Sequence, residues 1–235
     1  TEVKRLEAQV RRMHTLTALG EMAATVAHEI RNPLSGIASF ANMLERDLAA
    51  DNPNRRLVRK ITEGVARLNR IVSSLLSYTR PLKLNTHVVD VAEVVEEAAA
   101  FFEIDTERTA GKIAIKRPFP EEPLVGHVDT EQLQQVILNL LLNATQAMPQ
   151  GGEIDVEVYP IGKSDGGVTL CVRDHGVGIE EEFQEKLFTP FFTTKEDGTG
   201  LGLVISKKII EAHGGQIRVS SKPDEGTSFF IDLPN

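Results

Sequence analysis

The first third of the chain carries apolar residues at helical spacing. They recur in three runs, at Val3, Leu6, Val10 and Met13, then at Met22, Val26, Ile30, Leu34, Ile37, Phe40, Leu44 and Leu48, and finally at Leu57, Ile61, Val65, Leu68, Val72 and Leu75. The first run has heptad spacing, which predicts a parallel coiled coil over residues 1–14. The other two predict long helices joined by a turn at AADNPN, residues 49–54, and ended by Pro81. We therefore expect an antiparallel helical hairpin over residues 15–80.

A single hairpin of this kind leaves much of its apolar surface exposed to water. Two hairpins could cover these surfaces as a four-helix bundle, so the pattern predicts a homodimer. Within the first long helix, Pro33 lacks a backbone donor and crowds the preceding turn. We expect a kink there.

Beyond Pro81 the pattern changes to short strands mixed with helices. Residues 81–86 are predicted to be a linker, and residues 87–235 a second domain. Helices are predicted at AEVVEEAAAFFE, DTEQLQQVILNLLLNATQAM and LGLVISKKIIEAH, and strands at VVDV, KIAIKRP, PLVGHVD, EIDVEVYPI, VTLCVRD, QIRVSS and TSFFIDL. A loop-rich stretch covers residues 175–199. This order predicts an α/β sandwich with one sheet covered on one face, and an α+β fold class for the whole chain.

Two helix ends of the second domain carry recognisable signals. Asp129 and Gln132 have capping-box spacing at the start of the NLLLN helix. Gly214 and Gly215 stop the last long helix, where a cationic His213 would suit the helix dipole.

Composition limits the kind of protein. The 235 residues include 26 Lys and Arg against 34 Asp and Glu, a formal net charge of −8, which argues against a nucleic-acid partner. The one cysteine, Cys171, lies in an apolar run and is expected to be a buried thiol in a reducing compartment. No stretch approaches the ~20 apolar residues of a membrane span. Because the chain starts at Thr1 inside a repeat, we expect a cytoplasmic fragment, with a sensor domain and an inner-membrane anchor possible upstream.

A stripe of carboxamides marks the NLLLN helix. Gln135, Asn139, Asn143 and Gln146 share one side, apart from the apolar positions. Carboxamides can ligate a hard cation through oxygen and donate to phosphate through nitrogen. A polar boundary of an ordinary amphipathic helix would look the same.

A carboxylate and two glycines follow in RDHGVGI. Asp174 ends a predicted strand, and Gly176 and Gly178 would let the backbone approach something flat. A carboxylate here could accept from an exocyclic amine, although a plain turn also fits this short motif.

A glycine-rich segment, FTPFFTTKEDGTGLGL, leads into the last long helix. Free N–H groups at a helix start can hold phosphate, but the segment matches neither a Rossmann nor a Walker pattern. A mobile loop is the alternative. The residues placed near phosphate are Thr193, Thr194, Lys195, Gly198, Gly200 and Gly202.

Taken together, in this order and spacing, the three motifs resemble the ATP-binding domain of sensor histidine kinases. That domain belongs to the Bergerat-fold superfamily, with the gyrase, heat-shock-chaperone and mismatch-repair ATPases. The resemblance covers residues 15–235 and implies ATP and Mg²⁺ as cofactors, with Asn143 as the metal ligand and Asn139 near the phosphates. It implies that Asp174 binds the adenine amino group and that Thr227 lies near adenine. It also implies a lid at residues 188–202, including Leu201.

Two positions qualify this resemblance. His175 stands where the family more often has asparagine. Asn139 stands where the ATPase branch of the superfamily has a glutamate that activates water. A carboxamide cannot accept a proton at neutral pH, so the site should bind Mg-ATP and hydrolyse it poorly.

The segment AHEIRNPLSG, residues 27–36, resembles the phosphoacceptor box of the same kinases. The resemblance implies that His28 is phosphorylated. A neutral imidazole is a good nucleophile near pH 7, and Glu29 can orient the ring or take its other proton. Asn32 lies one turn later, where the family places a residue that positions water for phosphatase activity.

The sequence thus predicts a homodimeric histidine kinase core that passes phosphate from His28 to an aspartate of a response regulator receiver domain. The regulator should dock on the bundle below His28, around residues 35–43 and the facing part of the second long helix. The SYTRP and NATQAM segments look closest to the nitrogen-regulation-like subgroup. Two alternatives are a nucleotide-binding pseudokinase scaffold and a Bergerat-fold ATPase, the latter disfavoured by Asn139. The handedness of the turn at residues 49–54 decides between transfer within a subunit and across the dimer.

Overall fold

A computed structural model describes residues 29–49, 51–107, 113–119, 122–162, 166–195 and 198–235. The predicted coiled coil at 1–14, the start of the first long helix and His28 lie outside the described residues. The described chain groups into two compact units. The helical unit contains residues 29–81 and Thr193–Leu201, and the α/β unit contains Leu82–Phe192 and Gly202–Asn235. The predicted domain boundaries stay a prediction.

The helical unit is an antiparallel hairpin, as predicted. Helix α1 is described over residues 29–47 and runs through Pro33, and α2 spans Arg55–Thr79. Between them, the Asn52 side chain accepts a hydrogen bond from the Asn54 N–H at 2.9 Å, which closes the predicted turn. Arg59 donates to Glu45 at 2.9 Å near this turn, and Arg31 donates to Ser73 at 3.2 Å near the other end.

The hairpin buries only part of its apolar surface within the single chain. The buried positions include Leu34, Ala41, Val58, Val65, Val72 and Leu76. The large apolar side chains that stay exposed are Ile30, Ile37, Phe40, Met43, Leu44, Leu57, Ile61 and Leu68. The packing of the two helices against each other therefore leaves many of their large apolar side chains exposed.

The α/β unit contains seven strands and four helices among its described residues. The strands are β1 His87–Asp90, β2 Ile113–Lys116, β3 Val125–Val128, β4 Gly152–Pro160, β5 Val168–Asp174, β6 Gln216–Lys222 and β7 Gly226–Leu233. The helices are α3 Val91–Glu107, α4 Thr130–Ala147, α5 Glu181–Gln184 and α6 Gly202–Ala212. The short helix α5 lies in the stretch that the sequence predicts to be loop.

Among the described residues, five strands form the main sheet in the order β2-β4-β5-β7-β6, and β1 pairs with β3 in a separate two-stranded sheet. Strand β2 runs parallel to β4, and the other pairs are antiparallel. The prediction of one sheet was therefore wrong. The Asp90 carboxylate explains the difference, because it accepts from the Leu124 N–H at 3.2 Å and from the Ala92 N–H at 3.0 Å. These bonds hold the end of β1 beside β3 rather than at an edge of the main sheet.

Helix α4 occupies the centre of the core. It contacts α3, α6, β4 and β5, and its face of Leu133, Val136, Ile137, Leu140 and Leu141 is at most 1% exposed. On the sheet, Ile154, Val156 and Val158 alternate toward the same interior. This packing confirms the predicted sandwich and fixes the side of α4 on which the carboxamide stripe lies.

Candidate functional site

Asp174 and Thr227 lie opposite each other where β5 ends and β7 begins. Both are almost fully buried, at 5% and 4% exposure. One Asp174 carboxylate oxygen, Oδ1, accepts from the Gly176 N–H at 2.9 Å and from the Thr227 N–H at 3.3 Å. Two backbone donors therefore stabilise a buried carboxylate and fix its orientation.

The two glycines of RDHGVGI are required by close packing against other backbone. A side chain at Gly176 would collide with the carbonyl of Ala147, at the end of α4. Gly178 has φ of +67°, and a side chain there would collide with the carbonyl of Lys222, at the end of β6. The loop is also tied to α4 by the bond from the Val177 N–H to Ala147 O, at 3.2 Å. Because they lack side chains, the two glycines let this loop pack closely against the end of α4 and the β6–β7 hairpin.

Ser221 joins the loop to the hairpin, and sequence reasoning missed it. Its Oγ lies 2.9 Å from the Ile179 N–H donor, 2.9 Å from the Gly226 carbonyl and 2.9 Å from Thr227 Oγ1. The available signal was the alternation of β6, which places Ser221 and Ser220 on opposite faces of the sheet.

Two of the four carboxamide side chains on α4, those of Asn139 and Asn143, are partly buried. The Asn139 amide nitrogen donates to the hydroxyl of Ser206 at 2.9 Å, and Gly202 leaves room for the amide oxygen. Asn143 is half-buried one turn later, whereas Gln135 and Gln146 are exposed. Ser206 is buried on α6 and had no distinguishing signal in the sequence.

The glycine-rich segment forms local turns of its own. The Thr193 hydroxyl accepts from the Lys195 N–H at 3.1 Å, and the Thr199 hydroxyl accepts from the Leu201 N–H at 3.3 Å. Thr193, Thr194 and Lys195 are exposed, and Leu201 is buried. The role of this segment as a lid over the nucleotide stays a prediction.

On the helical unit, Glu29 and Asn32 are both exposed on α1. Residues three apart share one side of a helix, so both face the solvent from the same side. His28, the predicted phosphoacceptor, lies outside the described residues.

His175 makes a contact that its neighbour Asp174 does not share. Its Nε2 lies 2.8 Å from Asp155 Oδ2 on the solvent-facing side of β4, and its side chain is 51% exposed. Glu153 is within 4.8 Å of both groups and pairs with Lys116 at 2.7 Å.

Cys171 is buried on β5, and burial raises the pKa of its thiol to about 11.

Comparison with known proteins decides the family. Residues 18–82 match the family described as the His Kinase A (phospho-acceptor) domain, and residues 128–235 match the histidine kinase-, DNA gyrase B- and HSP90-like ATPase family. The structure of the histidine kinase ThkA, solved in complex with the response regulator protein TrrA, is 32% identical with a TM-score of 0.69. That match covers all of this chain and 67% of ThkA.

This chain belongs to the sensor histidine kinases. Its relatives include the sensor histidine kinase ZraS of Klebsiella oxytoca, 40% identical over 98% of this chain and 49% of ZraS. The kinase AtoS of Escherichia coli is 36% identical over 99% of this chain and 37% of AtoS. Full-length ShkA, solved with AMPPNP, is 26% identical with a TM-score of 0.73 and matches 91% of this chain. The kinase chain thus spans about half or less of these curated relatives.

The family confirms the helical hairpin followed by a Bergerat-type ATP-binding domain. It also places Asp174, Thr227, Asn139 and Asn143 within the residues that match the ATPase family. None of the helices in the described ranges has the length and apolar character needed to cross a bilayer.

Proposed function

We propose that this kinase transfers the γ-phosphoryl group of ATP to His28 and then to an aspartate of a response regulator receiver domain. The observation that carries this proposal is the buried Asp174 carboxylate, oriented by the N–H groups of Gly176 and Thr227 in a domain of the ATP-binding family. A fixed, buried acceptor of this kind is suited to an exocyclic amine such as that of adenine.

Mg²⁺ would be held by Asn143. Its carboxamide oxygen is a hard ligand, and Mg²⁺ commonly takes few protein ligands together with phosphate oxygens and water. Asn143 is half-buried one helical turn after Asn139, so the donor set present on α4 fits this ion. Bound there, the ion would offset charge on the phosphates.

Asn139 supports phosphoryl transfer over hydrolysis. Its amide nitrogen is engaged as a donor to Ser206 at 2.9 Å, and a carboxamide has no basic site that could deprotonate water. The γ-phosphoryl group therefore needs an acceptor other than an activated water. His28 supplies that acceptor in this proposal.

The transfer is an in-line displacement. The unprotonated ring nitrogen of His28 forms a bond to the γ-phosphorus as the bond to the β,γ-bridging oxygen breaks, and ADP leaves. Glu29 orients the ring or takes its other proton as positive charge develops. Asn32 is exposed on the same side of α1 and, in this proposal, positions a water molecule that hydrolyses the phosphorylated aspartate of the regulator.

The phosphate-binding segment completes the ATP site in this proposal. Thr193, Thr194 and Lys195 would contact phosphate oxygens. The free N–H groups at the start of α6, the positive end of the helix dipole, would also donate to phosphate. Gly176 and Gly178 would shape the adenine side. The remaining members of the segment are Gly198, Gly200, Leu201 and Gly202.

The kinase is proposed to act as a homodimer. The hairpin exposes a set of large apolar side chains on both helices, among them Ile37, Ile61 and Leu68 at 46%, 48% and 48% exposure. A second hairpin would cover them, forming a four-helix bundle. The regulator would dock beside His28 around residues 35–43, and a sensor domain would lie in the part of the protein upstream.

The test is incubation of the chain with Mg-ATP labelled at the γ-phosphate, beside His28→Ala and the control His127→Ala, an exposed histidine on β3. We expect acid-labile, base-stable label on the unmodified chain and on the control, and none on His28→Ala. ATP binding without label would favour the pseudokinase scaffold. Sustained phosphate release without labelled protein would favour the ATPase.

A further inference from the structure

We propose that Ser221 selects adenine over guanine by forcing the hydroxyl of Thr227 to act as a hydrogen-bond acceptor toward the nucleotide. Ser221 is a positioning residue in this proposal, because it acts through Thr227. The inference rests on the proposed function, since it assumes that the base lies beside Asp174 and Thr227.

The Ser221 hydroxyl has a single proton, and the group that receives it determines which of its other partners must donate a hydrogen bond. The Ile179 N–H can only donate to Ser221 Oγ, and the Gly226 carbonyl can only accept from it, both at 2.9 Å. Ser221 therefore gives its proton to Gly226. The third contact, to Thr227 Oγ1 at 2.9 Å, is a hydrogen bond only if Thr227 is the donor. This arrangement satisfies all three contacts at once and fills the bonding capacity of a hydroxyl.

Thr227 consequently has no proton left for the nucleotide. What its hydroxyl can offer is lone pairs, next to the Asp174 carboxylate across the β5–β7 pair. The backbone donors at this point are also engaged, because the Gly176 and Thr227 N–H groups both donate to Asp174 Oδ1. The edge formed by Asp174 and Thr227 is therefore an edge of acceptors.

An edge of acceptors distinguishes the two purines. Adenine carries an amino group at C6, which has two donor hydrogens, whereas guanine carries a carbonyl oxygen there. The amino group can satisfy Asp174 and Thr227 directly or through one water. A carbonyl oxygen in the same place would face acceptors and leave buried groups unpaired, which is the strongest source of discrimination between similar ligands.

Gln184 of helix α5 supports the arrangement from outside. Its amide nitrogen donates to the carbonyls of Ile179 and Ser221, at 3.1 and 2.9 Å. These bonds hold the backbone of the two residues together, so the Ser221 hydroxyl keeps its position between the loop and the hairpin. The fold thus fixes the Thr227 hydroxyl as a donor to Ser221 and an acceptor toward the nucleotide.

The test measures ATP and GTP affinity of the full chain by calorimetric titration, for the unmodified protein, Ser221→Ala and Ser221→Thr. The control is Ser220→Ala, since Ser220 is the exposed neighbour on the other face of β6. Ser221→Ala frees the Thr227 proton, so the Thr227 hydroxyl can donate to the guanine carbonyl as well as accept, and we expect the ratio of GTP to ATP affinity to rise about 3- to 10-fold, as for one hydrogen bond gained. Ser221→Thr keeps a hydroxyl and should retain most of the preference for ATP, and Ser220→Ala should retain all of it.

A second pair of variants keeps the test decisive if Ser221→Ala does not fold. Thr227→Val removes the acceptor itself and should lower the preference for ATP. Where Ser221→Ala does fold, adding it to Thr227→Val should cause no further loss of preference. An unchanged ratio of GTP to ATP affinity in Thr227→Val would overturn the inference.

Two outcomes separate this inference from the proposed function. Equal weakening of ATP and GTP binding by Ser221→Ala would show that Ser221 only braces the loop, and it would overturn the inference while leaving the kinase proposal intact. Absence of ATP binding by the unmodified chain would overturn both.

Discussion

The backbone N–H of Asp129 donates to Nε2 of His213 at 2.9 Å, across 84 residues of sequence. His213 Nδ1 lies 2.8 Å from the carbonyl of Ile209, so the ring is neutral and carries its proton on Nδ1. The expected helix-terminal cation was therefore wrong, because both ring nitrogens are used in bonds that only the neutral tautomer can make. The Asp129 carboxylate in turn caps α4 through the Gln132 N–H at 3.1 Å and holds the Asn85 N–H at 2.7 Å.

This double use of the Asp129 carboxylate predicts a graded loss of stability. Asp129→Ala removes the cap and the contact with Asn85, so we expect the free energy of unfolding to fall by about 2 kcal/mol. Asp129→Asn keeps one oxygen that can cap α4 and should lose about half as much. Urea unfolding of the full chain measures both. Equal losses for the two variants would show that the cap contributes nothing, and no loss for Asp129→Asn would show that the contact with Asn85 contributes nothing.

Asp174→Asn should weaken ATP binding strongly. Its remaining oxygen can still accept from Gly176 and Thr227, which turns the new amide nitrogen, a donor, toward the place proposed for the adenine amino group. We expect at least about a tenfold loss of affinity in calorimetric titration, as for a lost hydrogen bond to a charged group. Asp224→Asn is the matched control, because Asp224 is an exposed turn residue at φ of +61°, which asparagine tolerates. Equal effects of the two substitutions would contradict the assignment of Asp174.

Gly178→Ala should be more damaging than Gly162→Ala. The two glycines have similar φ, +67° and +63°, so both substitutions incur about 1 kcal/mol of backbone strain. Only at Gly178 would the new methyl group also collide with backbone, at the carbonyl of Lys222, whereas Gly162 has open space. We expect a clearly larger drop in melting temperature for Gly178→Ala. Similar melting temperatures would mean that the loop and the hairpin are not packed as described.

Asp232 should make the stability of the α/β unit sensitive to acid. Burial alone would raise its pKa, but hydrogen bonds from Arg218 and Thr169 outweigh burial and hold the pKa below its ordinary value of 3.8. A lowered folded-state pKa adds stability that is present above the unfolded-state pKa and is lost as the pH falls through the folded-state pKa.

Asp232→Asn should therefore reduce the free energy of unfolding at pH 7, and the difference from the unmodified chain should shrink as the pH falls below about 4. Denaturant unfolding at a series of pH values provides the measurement. Glu225→Gln is the control, because the side chains of Glu225 and its partner Lys222 are 68% and 72% exposed and their ion pair should contribute little at any pH. A difference that grows toward low pH would contradict the sign of the shift.

The sequence by itself determined the order and type of most elements. Helical spacing predicted the hairpin of α1 and α2, and alternation predicted the long strands β4, β5 and β7, because side-chain periodicity is a local property of helix and strand geometry. The glycines around Asp174, the carboxamides on α4 and the phosphoacceptor box identified the kind of site in the same local way.

Tertiary structure alone decided the pairing of β1 with β3, the neutral state of His213 and the place of Ser221 beside Thr227. Each depends on a hydrogen-bond partner supplied by a distant segment, and no residue type or spacing near these positions encodes that partner. Ser220 and Ser221 are chemically identical in the sequence. They differ because one lies on the exposed face of β6, and the other meets the Ile179 N–H and the Gly226 carbonyl on the inner face.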